Sequence, residues 1–140
     1  MEFINSQYDY ITPDNKLIQA TLIIDWNVAI EISFNDMNSY KNFFELFQKE
    51  LIIFKENLLN YNRKKDKTGI ILHKIFHTLK GTGSTLGFNT ISCFCEYYCN
   101  LYKITNNIKY MNKKNIIDSL NILNNLVILN YNKNLNNFFI

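Results

Sequence analysis

The stretch Ile71-Leu72-His73-Lys74-Ile75-Phe76-His77-Thr78-Leu79-Lys80-Gly81-Thr82-Gly83-Ser84-Thr85-Leu86-Gly87 holds both histidines of the chain and three of its four glycines. Read at helical period, Leu72, Phe76, Leu79, Gly83 and Leu86 recur at steps of four and three and form one seam that faces a core. Moving each position on by one residue, about 100° around the axis, gives a second stripe of His73, His77, Lys80 and Ser84, with Gly81 one turn past His77. This stripe borders the seam and is expected to reach solvent.

The residue types on the stripe suit phosphoryl chemistry. A neutral imidazole offers a nucleophilic nitrogen, and an ammonium one turn away sits where negative charge collects on a phosphoryl group. Gly81 removes the side chain that would stand beside the imidazole, so another protein surface can approach. A glycine inside a helix costs roughly 1 kcal/mol relative to alanine, which asks for a reason of this kind.

The rest of the chain reads as scaffold for that helix. With 140 residues, 47% hydrophobic and 15% aromatic, it fits one domain with an ample core. One proline and four glycines leave little to interrupt long helices. Asp25 is placed to cap a short helix carrying Trp26, Ala29, Ile30 and Ile32. Asn35 or Asp36 caps the next, in which Phe43, Phe44, Phe47, Leu51, Phe54 and Leu58 keep an apolar stripe over four turns. Arg63-Lys64-Lys65-Asp66-Lys67 reads as a solvated connection, with Asp66 as the cap of the histidine helix, and Gly87 as its left-handed terminus.

A further helix is expected from Asn89 or Thr90 with Ile91, Phe94, Cys95, Tyr98 and Leu101 or Tyr102 inward, and a turn at Asn106-Asn107. The last helix is capped by Asn112 and buries Ile116, Leu120, Leu123, Val127 and Tyr131, with fraying over 132–137. Upstream, Thr12-Pro13 marks a boundary, and a short helix is expected from about Asp14 to Leu22. The expected organisation is an arm with a short helix over 1–21 and a helical domain over 22–140. The fold class is all-α, an antiparallel four-helix bundle with a short N-terminal capping helix.

His77-Thr78-Leu79-Lys80-Gly81, followed by Leu86-Gly87 and then Cys95, resembles the H-x-L-K-G...L-G...C signature of histidine-containing phosphotransfer (HPt) domains. Ile24-Asp25-Trp26 and the run Phe43-Phe44-Glu45-Leu46-Phe47 are similar to that family's opening turn and second-helix aromatics, so the resemblance covers about residues 22 to 131. Phe76, Gly83 and Tyr98-Cys99 depart from its usual pattern. The resemblance implies His77 as phosphoacceptor between aspartates of receiver domains and Lys80 as the group that stabilises the phosphoryl. Gly81, Ser84, His73 and Lys74 would then be partner-facing. It also implies a stoichiometric carrier rather than an enzyme, acting with receiver domains of a hybrid histidine kinase and of response regulators, with Mg2+ on the receiver and no cofactor or metal of its own. The chain contains neither a P-loop nor a kinase glycine-rich box, so ATP binding and autophosphorylation are not expected.

Fifteen basic against twelve acidic residues give +3, too little to argue for nucleic acid. Three cysteines without a framework spacing suit free thiols in a reducing compartment. No basic leader and no apolar run of about 18 residues is seen, so the expected setting is a cytoplasmic monomer without membrane or nucleic-acid partners. Two other readings remain open. One is a helical binding module without chemistry. The other is a metal site joining His73 and His77 to Cys93, Cys95 and Cys99, although Cys93 and Cys95 lie about 200° apart on a helix and match no familiar zinc module.

Overall fold

The computed structural model describes residues 23–139 in full and the backbone of residues 8–11 and 17–20. The core of the domain follows the apolar stripes the periodicity marks out, except that Ile30, Ile32, Phe43 and Tyr131 are only half-buried at its edge. Helix α1, Trp26–Ile32, starts where the Asp25 carboxylate accepts the backbone N–H groups of Asn27 and Val28. Helix α2, Met37–Leu59, is capped by Asp36 and buries Phe44, Phe47, Leu51, Phe54 and Leu58. Tyr40 joins that stripe one turn earlier. Helix α3, Ile70–Leu86, is the histidine helix, and α4, Asn89–Leu101, follows it after a two-residue connection. Helix α5, Lys113–Phe138, begins at Asn112, whose side chain accepts the N–H of Asn115.

Helix α3 packs between α2 and α4, and α5 closes the ring against α4 and α2. Helices α2 and α3 run in opposite directions. Phe54 meets Phe76 edge to face at one level, and Thr82 donates a hydrogen bond to Glu50 at another. The α2–α5 contact is likewise antiparallel: Phe44 stacks on Tyr131 at 3.8 Å between centroids, and Gln48 and Asn124 exchange a pair of amide hydrogen bonds. The architecture is therefore an all-α bundle of four long antiparallel helices, with α1 laid across one end.

Aromatic packing fixes that end. Trp26 stacks on Phe138, and its indole N–H donates to Asn130 at 3.0 Å. The hydroxyl of Tyr40 donates to the carbonyl of Leu86, where α3 stops. Fraying over 132–137 is not observed. The helix continues to Phe138 because Leu135 and Phe139 are buried and Phe138 covers Trp26, so tertiary contact outweighs the weak helix preference of the asparagines.

The expected helix over 14–22 is also corrected. Leu17–Ala20 forms strand β2, paired antiparallel with β1, Tyr8–Ile11, in the register Tyr8 to Ala20 and Ile11 to Leu17. A helix of so few residues carries the full cost of nucleation, whereas pairing with a Tyr- and Ile-containing strand satisfies backbone groups on both segments. Strand β2 runs against α4. Residues 14–16 and 21–22, and the Thr12-Pro13 boundary, lie outside the described residues. Among the described residues, no helix is long and apolar enough to cross a membrane.

Candidate functional site

The start of α3 is set by a residue outside it. Asp66 is buried, and its carboxylate accepts the backbone N–H groups of Ile71 at 3.1 Å and Leu72 at 3.1 Å and the hydroxyl of Tyr61 at 2.7 Å. It therefore satisfies the helix start as expected, but from four residues upstream of Ile70. Gly69, at φ 77°, occupies the cap position and has no side chain to do so. Burial alone would push the Asp66 carboxyl up. The hydrogen bonds from Tyr61 and from the backbone of Leu72, Ile71 and Gly69 outweigh it and hold the group below the ordinary aspartate value. The other end of α3 stops at Gly87, at φ 85°.

Between these fixed ends the seam Leu72, Phe76, Leu79, Gly83 and Leu86 is buried, and His73, His77, Gly81 and Ser84 are exposed. The two imidazoles lie one above the other, 5.5 Å between centroids and 15° from parallel. An ideal Cβ built on Gly81 meets nothing within 4 Å, so the surface beside His77 is open and the glycine serves no packing need. Gly83 faces inward, where a Cβ would be in ordinary contact with Ile91 and Phe47.

Lys80 stands on the α4 side of the histidine. Its ammonium is 3.4 Å from the Glu96 carboxylate, with the two side chains 32% and 55% exposed. An ion pair so open to water is worth about 1 kcal/mol or less, so an arriving dianion can replace Glu96 as partner. Ser84 shares a hydrogen bond with the Ser92 hydroxyl, which ties the end of the stripe to α4. Lys74 is exposed on the opposite flank of the histidine ridge. There it helps to line an open groove of about 660 Å3 between α2 and α3, with Thr78, Ile71 and Ile75.

The structure thus brings His73, His77, Lys80, Gly81 and Ser84 onto one exposed ridge and sets Lys74 beside it. Glu96 and Ser92 complete the α4 flank, and Glu50 and Thr82 the α2 flank. Reasoning along one helix does not find Glu96, Ser92 and Glu50, because they depend on how α4 and α2 are registered against α3.

The cysteines take another course. Cys95 and Cys99 are buried, Cys93 is half-buried, and all three are free thiols. Burial pushes each thiol up, which keeps it protonated at neutral pH. Among the described residues no group of three or more His, Cys, Asp and Glu side chains stands together as a metal site requires.

No protein-family model, no curated protein and no solved structure matches this chain.

Proposed function

We propose that this chain is a phosphocarrier of the HPt type, in which His77 accepts a phosphoryl group from the phospho-aspartate of one receiver domain and delivers it to the aspartate of another. The observation that carries the reading is the conjunction at one surface of an exposed imidazole, a glycine with open space beside it, and an ammonium paired with a solvent-exposed carboxylate.

The chemistry asks little of the carrier. The lone pair of an imidazole nitrogen attacks phosphorus in line with the aspartyl oxygen; the N–P bond forms, the P–O bond breaks, and the aspartate leaves as a carboxylate. The receiver brings Mg2+, which neutralises charge on the transferring group. The carrier supplies position and one cation. Gly81 lets the receiver close to in-line distance, and Lys80 exchanges Glu96 for a phosphoryl oxygen as charge accumulates. The reverse transfer uses the same contacts. The rigid ends of α3, held by Asp66 and Gly87, keep His77 in place while surfaces dock and leave. In this reading the chain is a stoichiometric signalling partner, not an enzyme.

The test is to incubate the purified chain with a panel of receiver domains, each phosphorylated on its aspartate. Label should appear on this chain in a form that is acid-labile and base-stable, as a phosphoramidate is. A chain that takes no label from any receiver contradicts the proposal.

A further inference from the structure

Among the described residues, basic side chains gather at one end of the bundle, which the overall +3 conceals. The connection from α2 to α3 and the connection from α4 to α5 lie at the same end. Lys113, at the start of α5, donates to the carbonyls of Leu59 at 3.0 Å and Tyr61 at 2.6 Å. An ideal Cβ on Gly69 would be 3.3 Å from Ile108 and 3.4 Å from Thr105. On this joined surface Arg63, Lys64, Lys65, Lys67, Lys103 and Lys109 are all exposed. The acidic groups near them offset little. Asp66 is buried and turned to Tyr61 and the start of α3, and Asp118 is paired with Lys114 at 2.9 Å, which among the described residues leaves Glu56 in the last turn of α2. The opposite end is close to neutral: residues 23–41 carry Asp25, Glu31, Asp36 and Lys41, residues 86–91 carry no charge, and Lys133 lies toward the end of α5.

The basic end is also apolar at its surface. Leu59 is 59% exposed, Ile70 64%, Ile104 62% and Tyr110 73%, and the Lys109 ammonium lies 5.0 Å from the centre of the Tyr110 ring. Cations interleaved with protruding aliphatic and aromatic side chains are the combination that holds a protein to an anionic bilayer. The cations meet lipid phosphates, and the apolar side chains enter the interface between headgroups and acyl chains. A nucleic-acid surface would use the cations but has no place for Ile70, Ile104 and Leu59. We propose that this end of the bundle is a docking surface for anionic membrane, with the opposite end directed away from it. This departs from the expectation, drawn from the lack of a basic leader and of a long apolar run, that the chain has no membrane partner. His77 lies seven residues along α3 from Ile70, about 10 Å up the side of the bundle. The inference does not depend on the function proposed above.

Sedimentation of the full chain with vesicles tests it. Phosphatidylcholine vesicles containing about one-third phosphatidylglycerol should bind the chain at low salt, and phosphatidylcholine alone should not. Added salt should weaken the binding. The combined variant Lys64→Glu, Lys65→Glu, Lys67→Glu should lower partitioning about a hundredfold or more with its helical circular dichroism unchanged. Ile104→Ser with Tyr110→Ser should reduce the binding that survives high salt. No binding to the anionic vesicles, equal binding to both vesicle types, or undiminished binding by the folded charge-reversal variant would overturn the proposal. So would a preference for duplex DNA over anionic vesicles at equal salt, which would make the patch a nucleic-acid surface.

Discussion

Asp25 donates its backbone N–H to the carbonyl of Gly87 at 2.7 Å, and an ideal Cβ on Gly87 would lie 2.5 Å from the carbonyl oxygen of Asp25. The last residue of the histidine segment is thus clamped against the first turn of the lid helix. Two separate demands meet at this glycine, a left-handed backbone at φ 85° and a close approach by another chain segment. Gly87→Ala should therefore push α1 away from the end of α3 and destabilise the fold by about 2 kcal/mol or more, read as a lower thermal midpoint.

Gly81 should behave in the opposite way. Because nothing stands within 4 Å of its missing Cβ, Gly81→Gln adds a better helix former and should stabilise the isolated protein by up to about 1 kcal/mol. Transfer from a receiver to His77 should nevertheless fall by on the order of a hundredfold, since a side chain one turn away holds the aspartyl phosphate off line by about 1 Å. Thermal stability and transfer rate measured on the same preparation separate the two effects. A variant that loses stability would show that Gly81 serves packing, and one that transfers normally would place docking elsewhere.

Gly83 is a third case. A Cβ there would meet Ile91 at 3.6 Å and Phe47 at 3.9 Å, ordinary contact distances. Gly83→Ala is expected to raise stability by up to about 1 kcal/mol and to leave transfer unchanged, because the position faces the core. Denaturant unfolding beside a transfer assay checks both halves.

Acid stability should report on Asp66. Its carboxyl sits below the ordinary value when folded, so the folded state favours the ionised form. That stabilisation is fully present above the unfolded value of about 4 and is lost as pH falls through the lower folded value. Asp66→Asn should lower stability at neutral pH by about 2 kcal/mol, since the charged acceptor of Tyr61, Ile71 and Leu72 is gone. The variant should also show a shallower loss of stability between about pH 5 and pH 2 than the parent. A parallel acid limb in the two proteins would mean another group governs it.

How much of this was legible in the chain depends on where the deciding interactions lie. Asp25, Asp36 and Asn112 act on backbone groups a few residues away, so their capping roles follow from residue type and position. The stripes of α2 and α3 follow from period alone. Strand β2 was not legible, because its partner begins nine residues upstream and pairing overrides local preference. The length of α5 was hidden for a similar reason: its asparagines argue for fraying, and only the approach of Trp26 and Tyr40 explains why Phe138 and Phe139 stay ordered against the lid. In the site, His77, Lys80 and Gly81 share one helix and could be read together. The pairing of Lys80 with Glu96 and of Ser84 with Ser92 depends on the packing of α4.

The most direct test of the central claim is to locate the phosphoryl group after transfer from a phosphorylated receiver. Three proteins serve, the parent chain, His77→Gln and His73→Gln, each with its helical circular dichroism recorded. His77→Gln should keep the helical signal and take no acid-labile label, and His73→Gln should be labelled like the parent. Label retained in His77→Gln, or phosphate recovered on His73 in the parent, would contradict the assignment.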